Sequence, residues 1–314
     1  MNHRSTCATV AFLVVLGAAA GAALGEGALA APQSDIQKSP PTLPPSDEPL
    51  HVGLRRSSYG LEAKNNDHAW WAARAKQFAS HFQNAVPTII EIVSTYQDDD
   101  STEFEFGRPA GDFGSIDGMQ FNDDDSLNHE NALAEYDRQG VRAILQVEPG
   151  RADLVRCLQL VHRQFGRHPC VIGLGVDAEW FFTKGSPQRE GRAITDAEAE
   201  AWLQAALALN PKYTFFIKHF NEDHLPPHYR HPRLWFLDDS QQFHSSAACV
   251  REFKTWADFF TGSTVGYQFG YDEDRGWWQK LPSPPIDAAR SIHDAIPRAS
   301  YLFWVDFSAD RVKF

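Results

Sequence analysis

Two carboxylates that lie two residues apart, Asp177 and Glu179, follow an apolar run in the segment Cys170 to Trp180. Side chains alternate between the faces of a β-strand, so a strand here carries both carboxylates on one face. That face would hold Gly173, Gly175, Asp177 and Glu179, and the other would hold Ile172, Leu174 and Val176. Neighbouring carboxyl groups do not both ionise readily, because the charge of one raises the pKa of the other. The pair can therefore supply a protonated acid beside an ionised carboxylate, as general acid catalysis requires.

An apolar strand with small residues on one face and acids at its end is typical of a parallel strand in a (β/α)8 barrel. In that fold the aliphatic side chains pack against helices, and functional groups lie at the carboxyl ends of the strands. Glu179 lies further out along the strand, so we assign it the role of proton donor. Asp177 lies deeper and would orient a substrate group or stabilise a cationic centre. The alternative interpretation is an acidic turn with a structural role, in which a buried Asp177 caps a neighbouring loop.

Apolar strand-like runs alternate with amphipathic helical stretches from His51 onward, which indicates a parallel sheet with crossover helices. Eight strand candidates favour a closed barrel over a doubly wound sheet, which usually has about five or six strands. The predicted fold class is α/β, a single (β/α)8 TIM barrel with an irregular connection between its fifth and sixth strands, at Asn221 to Pro232, and a missing or atypical last helix. The strand candidates are His51–Arg55, Thr88–Ser94, Val141–Glu148, Val171–Trp180, Tyr213–His219, Leu234–Asp239, Val265–Tyr271 and Tyr301–Phe307. The helix candidates are His68–Phe82, Asn128–Gln139, Ala152–Phe165, Asp196–Leu209, Ser245–Phe260 and Ile286–Ile296, with a capping box at Thr195 and Glu198.

Polar side chains recur at the carboxyl ends of most predicted strands. If the more aliphatic face of each strand points outward, these polar groups point into the barrel. Burying charged groups without partners is strongly unfavourable, so the ring implies either a salt-bridged plug or an active site. We favour an active site at this end of a barrel, with Asp238 as a further catalytic residue beside Asp177 and Glu179. The other members, assigned to substrate binding, are Arg55, Glu91, Gln146, Glu148, Lys218, Gln268, Trp304 and Asp306.

Aromatic residues in or just after the strand candidates favour a carbohydrate partner. Flat rings pack against the apolar faces of sugars and are unfavourable as exposed surface without a ligand. Trp277 and Trp278, in an acidic loop after the seventh strand, are expected to belong to a sugar platform rather than to the core. Together with the carboxylates, these rings indicate cleavage of a polysaccharide or glycan by general acid catalysis. The platform candidates are Trp180, Trp235, Tyr267, Tyr271, Trp277, Trp278 and Trp304.

The hexapeptide Gly-Val-Asp-Ala-Glu-Trp, from Gly175 to Trp180, resembles the Asp-x-Glu ending of the fourth strand in chitinase-like and lysozyme-like barrel glycosidases. Trp304 resembles the tryptophan that lines the floor of chitinase sites. The segments Tyr267 to Phe269 and Val305 to Phe307 resemble late-strand segments of the lysozyme-like barrels. The resemblance covers a small part of the chain and is a distant one, at the level of a clan.

This resemblance implies a (β/α)8 fold and a glycosidase activity. It implies that Glu179 is the proton donor and that Asp177 is its partner. It also implies that Tyr267 or Tyr271 stabilises an acetamido group of the substrate.

Two alternatives to the glycosidase interpretation stay open. Asp177, Glu179, His219, Asp238 and Asp239 offer the oxygen and imidazole ligands of a metal-dependent hydrolase at the same rim. A non-catalytic carbohydrate-binding barrel would keep the aromatic platform without turnover. The favoured glycosidase needs no metal and no cofactor, so chelator sensitivity separates it from the first alternative and turnover from the second. The sugar, the linkage, the stereochemical course and the oligomeric state stay open.

The first 30 residues have the pattern of a secretory signal peptide. His3 and Arg4 precede an apolar run from Val10 to Ala23, and small residues at Ala28 and Ala30 offer a cleavage site. The run is shorter than the roughly 20 residues of a transmembrane helix. Residues 31–49 then form a proline- and serine-rich linker, and residues 50–314 form the catalytic barrel. We expect a secreted or periplasmic protein that has no membrane association after signal cleavage.

The net charge limits the possible binding partners, and the cysteine positions limit the possible disulfides. The net charge of −12 argues against nucleic acid or anionic lipid as a partner, because both bind basic surfaces. Cys157, Cys170 and Cys249 remain after the signal peptide. A helix should hold Cys157 and Cys170 further apart than the roughly 7 Å that a disulfide tolerates. We therefore expect three buried free thiols.

Overall fold

Eight parallel strands close into a barrel in the computed structural model, which describes residues 49–314 apart from 61–63, 65, 124–126 and 183–190. The sheet contains β1 (His51–Arg56), β2 (Val86–Tyr96), β3 (Thr102–Phe104), β4 (Met119–Phe121), β5 (Arg142–Val147), β6 (Val171–Asp177), β7 (Thr214–Lys218), β8 (Leu234–Asp238), β9 (Val265–Phe269) and β10 (Ala299–Val305). The barrel order is β1-β10-β9-β8-β7-β6-β5-β2, and a parallel pairing of β1 with β2 closes the ring. The predicted barrel is confirmed, and each strand candidate overlaps one barrel strand.

Helices connect most of the barrel strands. They are α1 (His68–Ala79), α2 (His129–Gln139), α3 (Leu154–Phe165), α4 (Asp196–Leu209), α5 (Ser246–Phe259), α6 (Arg275–Trp278) and α7 (Pro284–Ala295). Each of the first five begins after a polar residue whose side chain accepts a hydrogen bond from a backbone amide of the first turn. These N-caps are Asp67, Asn128, Asp153, Thr195 and Ser245, and Thr195 forms the predicted capping box with Glu198. The six predicted helices are present, whereas the four-residue α6 was not predicted.

Both predicted irregularities are present. The connection from β7 to β8, the fifth and sixth barrel strands, contains a 3-10 turn at Glu222–His224 in place of an α-helix. After β10 the described chain forms a 3-10 turn at Asp306–Ser308 rather than an α-helix. The sequence did not predict that β2 runs past the barrel and pairs with β3 in an antiparallel hairpin. This hairpin extends the sheet beyond the carboxyl end of the barrel on the β2 side.

The barrel interior has its own apolar cluster, separate from the larger core between strands and helices. Trp235 and Tyr301 stack there at a centroid distance of 3.8 Å. Gly175 leaves room for the ring of Phe216, since a Cβ at Gly175 would lie 2.2 Å from that ring. The expectation that Ile172 faces outward with Leu174 and Val176 is wrong. The β5–β6 register shifts after the Ala143–Val171 pair, and Ile172 packs against the interior cluster.

A buried ionic network lies outside the barrel wall, between β1, β2 and α2. Glu91 forms an ion pair with Arg56, accepts a hydrogen bond from the Tyr136 hydroxyl at 3.2 Å, and lies 2.7 Å from Nδ1 of His129. The other imidazole nitrogen of His129 lies 3.2 Å from Glu105 Oε2. The prediction that Glu91 points into the mouth and binds substrate is therefore corrected. The alternation along β2 places Ile90 inside the barrel and Glu91 on the helix side.

The His129 site gives the fold a pH-dependent contribution to stability. Burial disfavours the charged ring, but hydrogen bonds to Glu105 and Glu91 outweigh it and raise the pKa of His129 to about 9, from 6.5 in an unfolded chain. The contribution is therefore fully present below pH 6.5 and is lost as the pH rises through about 9. We expect this term to amount to about 3 kcal/mol at 1.36 kcal/mol per pKa unit.

Urea unfolding of the wild type and of His129→Gln at pH 6, 8 and 10 measures this contribution. The unfolding free energy of the wild type should fall between pH 6 and pH 10, and that of the variant should fall much less. His228→Gln, which changes an exposed histidine, should keep the wild-type decline. An equal decline in His129→Gln and the wild type would contradict the assignment.

Other predictions concern the termini and the thiols. Cys157, Cys170 and Cys249 are buried free thiols, as expected. The predicted signal peptide, residues 1–30, and all of the predicted linker except Pro49 lie outside the described residues. Within the part of the chain that the structure describes, no helix has the length and apolar character of a membrane span.

Candidate active site

A lysine at the end of β7 is the centre of a buried cluster of carboxylates. The Nζ atom of Lys218 lies 2.7 Å from Asp177 Oδ2, 2.5 Å from Asp239 Oδ2 and 3.5 Å from Glu179 Oε1. These residues follow or end the adjacent strands β6, β7 and β8, so parallel pairing brings them to one rim. The predicted convergence of Asp177, Glu179 and Lys218 at the barrel mouth is what the structure shows.

Asp177 and Glu179 do not lie on one face of a single strand, as strand alternation suggested; a turn brings both to Lys218. β6 ends at Asp177, and a 3-10 turn, Ala178–Trp180, follows it. Asp177 Oδ1 accepts a hydrogen bond from the backbone N–H of Glu179 at 3.3 Å and caps this turn. The turn leaves the Glu179 side chain 22% exposed, whereas the side chains of Asp177, Lys218 and Asp239 are each at most 7% exposed. Glu179 is thus the acid of this cluster that reaches solvent.

Burial and the neighbouring charges shift the pKa values of the three carboxyl groups in different directions. Burial raises the pKa of Glu179 well above its ordinary value, and the Asp239 charge raises it further, although Lys218 opposes both effects. Burial also acts on Asp239, but Lys218 and a hydrogen bond from Glu179 outweigh it and lower the pKa of that carboxyl. Burial raises the pKa of Asp177 to about 6 despite the favourable charge of Lys218. These shifts favour the protonated form of Glu179 and the ionised form of Asp239.

Asp239, rather than Asp238, belongs to this cluster. Trp235 and Leu237 lie in the barrel interior, so Asp239 continues the inward face of β8 and Asp238 points outward. Asp238 accepts hydrogen bonds from the Ser240 amide at 2.8 Å and hydroxyl at 2.7 Å. The placement of Asp238 at the mouth, on which its catalytic assignment depended, is therefore corrected. The rule that the aliphatic face points outward failed because both faces of β8 are apolar.

A second carboxyl group, Glu148, lies just beyond the end of β5. Its Oε2 atom accepts hydrogen bonds from the Tyr59 hydroxyl at 2.5 Å and from the backbone N–H of Tyr96 at 2.9 Å. Burial and the charge of Asp177 raise the pKa of Glu148 to about 7. Gln146, two residues earlier and also inside the barrel, donates a long hydrogen bond of 3.5 Å to Asp177 Oδ2. The sequence identified Glu148 and Gln146, but it missed Tyr59 and Tyr96.

Polar pairs complete the opposite side of the mouth. Arg55 donates to Asp306 Oδ1 at 2.5 Å, so these two predicted substrate-binding residues neutralise each other. The Tyr271 hydroxyl lies 3.2 Å from Gln268 Oε1 and 3.4 Å from Asp239 Oδ2. Gln268 and Tyr271 therefore belong to the same buried site as Lys218.

Few of the predicted platform aromatics reach the mouth. Trp180 does so: it is partly exposed and stacks on the partly exposed ring of Tyr96 at 4.8 Å. Tyr267 points outward, where its hydroxyl donates to the Phe253 carbonyl at 3.0 Å. Trp304 also packs in the outer core, and its indole N–H donates to Ser308 Oγ at 2.8 Å. Tyr267 and Trp304 were both assigned to substrate binding, and Trp304 was expected to point into the barrel. Both side chains lie in the outer core, so these placements are corrected. Three further candidates are buried as apolar packing: Trp235 inside the barrel, and Trp277 and Trp278 in the outer core.

The residues of the metal alternative do not form one ligand set. Asp238 faces away from the cluster, and the ring of His219 stacks on His224 at 4.5 Å while its Nδ1 accepts from the Asn221 amide. Among the described residues, no three His, Cys, Asp or Glu side chains are arranged to hold one metal ion. The Lys218 ammonium supplies the positive charge between the carboxylates.

Comparisons with known proteins give structural resemblance at low identity. A β-glucuronidase from Parabacteroides merdae shares 11% identity at a TM-score of 0.47, over 83% of this chain and 33% of that one. An endocellulase from Pyrococcus horikoshii shares 13% identity at a TM-score of 0.46, over 82% of this chain and 84% of that one. The catalytic domain of a mannanase from Streptomyces sp. SirexAA-E shares 12% identity at a TM-score of 0.45, over 84% of this chain and 82% of that one.

These resemblances do not establish a family or an activity for this chain. The chain spans about a third of the length of the glucuronidase. No protein-family model matches the chain, and no curated protein matches it. With these TM-scores below 0.5, the barrel assignment rests on the strand order, and the activities of those proteins do not transfer to this chain.

Proposed function

We propose that this protein is a glycoside hydrolase that uses Glu179 as its general acid. The proposal rests on one observation, the position of Glu179 as the partly exposed member of a buried carboxyl cluster at the carboxyl rim of the barrel. Burial and the Asp239 charge raise the pKa of Glu179 well above its ordinary value, which favours the protonated form. A protonated carboxyl at such a mouth can donate to a glycosidic oxygen as the bond breaks.

Aromatic rings beside Glu179 favour a carbohydrate substrate. Trp180 and Tyr96 form a stacked pair at the rim, and Tyr59 is 44% exposed although its hydroxyl is bound to Glu148. Rings of this kind cover the apolar faces of sugar rings. The glycan would therefore lie across Trp180 and Tyr59, above the carboxyl cluster.

A resemblance to chitinase-like barrels would extend the proposal to an N-acetylated sugar. Of the two tyrosines that it offers for the acetamido group, Tyr267 faces the outer core, whereas Tyr271 faces Asp239 and Gln268. Recognition of an acetamido group would therefore fall to Tyr271.

A panel of purified polysaccharides, including β-glucans, mannans, chitin and chitosan, tests the proposal when new reducing ends are measured. Turnover that persists in chelator supports the glycosidase. Complete loss of turnover in chelator, with rescue by a divalent ion, would transfer the assignment to a metal-dependent hydrolase. Binding without turnover of any polysaccharide would indicate a non-catalytic carbohydrate-binding barrel.

We also propose that the protein is exported. The basic start, the apolar run and the alanine-rich site before residue 31 support this, as they have the order of a signal peptide. Protein recovered from the periplasm or medium of its host should have an intact mass that corresponds to a chain beginning close to Ala31. Recovery of the full-length chain from the cytoplasm would contradict export.

A further inference from the structure

Within the part of the chain that the structure describes, hydrogen bonds hold the carboxyl of Glu148 through one of its two oxygens. The Tyr59 hydroxyl and the Tyr96 amide both donate to Oε2, at 2.5 Å and 2.9 Å. Among the described residues no donor binds Oε1 of Glu148. This group is therefore fixed in orientation and still has one oxygen available to a bound molecule.

Asp177, the carboxyl nearest to Glu148 on the next strand, is occupied on both sides. Its Oδ2 lies 2.7 Å from Lys218 Nζ and 3.5 Å from Gln146 Nε2. Its Oδ1 accepts the hydrogen bond that caps the Glu179 turn. Asp177 thus has the contacts of a structural and electrostatic group rather than of a group that reaches substrate.

We infer that Glu148 is the second catalytic carboxylate of this site, a general base that activates water, and that Tyr59 is its positioning residue. The inference rests on the proposed glycosidase activity. In the step, Glu179 transfers its proton to the glycosidic oxygen, and the bond from that oxygen to the anomeric carbon breaks with its electron pair staying on the oxygen. A water molecule loses a proton to Glu148, and the water oxygen bonds to the anomeric carbon, which inverts its configuration.

The charges around Glu148 suit a base. Burial and Asp177 raise its pKa to about 7, while Tyr59, the Tyr96 amide and Lys218 oppose the shift. The guanidinium of Arg55 on β1 also interacts electrostatically with Glu148. A carboxyl with a pKa of about 7 accepts a proton more readily than one at its ordinary pKa. It is about half ionised at neutral pH and becomes increasingly ionised above it.

Hydrogen bonds fix the two residues that precede Tyr59, Ser57 and Ser58. The amide and the hydroxyl of Ser57 donate to Asp306 Oδ2 at 2.7 Å and 2.6 Å. The Ser58 hydroxyl donates to Glu105 Oε1 at 2.5 Å. These bonds hold the Tyr59 hydroxyl against Glu148 although much of the ring is exposed.

The first experiment compares Glu148→Gln and Glu148→Ala with the wild type on a glycan that the wild type cleaves. Glu148→Gln should lose on the order of 10²–10⁴-fold in kcat, because Gln cannot accept the proton. Azide should restore turnover to Glu148→Ala, since it needs no base and fits the space left by the side chain. NMR of the wild-type product should show inverted anomeric configuration.

The outcomes separate this inference from the proposed function. Turnover within threefold of wild type in Glu148→Gln, together with an inactive Glu179→Gln, would overturn the role of Glu148 alone. A retained anomer would overturn the general-base step. Failure of the wild type to cleave any glycan would overturn both proposals.

The second experiment tests Tyr59 through the pH profile of kcat/KM. Tyr59→Phe removes a hydrogen bond that lowers the pKa of Glu148, so the acidic limb should move to higher pH. Tyr96→Phe is the matched control: it removes a neighbouring hydroxyl, bound to Asp100, but keeps the backbone N–H that binds Glu148. Its acidic limb should match the wild type. An unshifted limb in Tyr59→Phe, or equal shifts in both variants, would overturn the positioning role.

Discussion

Glu179→Gln should lose on the order of 10²–10⁴-fold in turnover while it keeps its affinity for the glycan, because the amide has the shape of the acid without its transferable proton. Turnover is measured as new reducing ends, and binding by calorimetry with an uncleaved oligosaccharide. Glu273→Gln is the matched control, since Glu273 is an exposed carboxylate after β9 on the same rim. That variant should behave as wild type. Turnover within threefold of wild type in Glu179→Gln would rule out the acid role.

The pH profile offers a second readout of the same role. Asp239 raises the pKa of Glu179 through its negative charge. Asp239→Asn removes that charge, so Glu179 should lose its proton at a lower pH and the alkaline limb of kcat/KM should shift in the acid direction. A shift of this limb in the alkaline direction would contradict the proton distribution between the two carboxyls.

The barrel was predictable from the sequence because its signals are local and repeated. Each strand candidate is a short apolar run, and each of the first five helices begins at a polar cap. The antiparallel extension of β2 was missed, since its partner β3 has only three residues, Thr102–Phe104. A strand that short has no periodicity to detect.

The site was predictable only where one strand face is clearly apolar. On β6, glycines mark the interior, so Asp177 was placed correctly. On β8 both faces are apolar, and the choice between Asp238 and Asp239 turned on which face met α5, which local sequence does not encode. Tyr59 was out of reach for another reason: it lies on a loop, and its contact with Glu148 spans 89 residues of sequence.

Lys218→Met should destabilise the protein by about 3–5 kcal/mol at pH 8, because it removes the positive charge that Asp177, Asp239 and Glu179 share. Breaking a buried ion pair from one side leaves uncompensated charge, and that costs more than the loss of the pair itself. Met keeps much of the length and packing of the lysine stem. Urea unfolding at pH 4, 6 and 8 gives the free energy of unfolding of each variant.

The loss should shrink as the pH falls. Without the ammonium, the folded-state pKa of the carboxyls rises, so the folded variant binds more protons than its unfolded chain and loses stability as the pH rises through that range. Near pH 4 the carboxyls are largely protonated in the folded variant, and the difference from wild type should be smallest. Lys254→Met, which breaks an exposed pair with Asp258 on α5, should change stability little and equally at each pH. An equal loss for Lys218→Met at pH 4 and pH 8 would contradict a charge-based role, because a packing defect has no reason to vary with the protonation of Asp177 and Asp239.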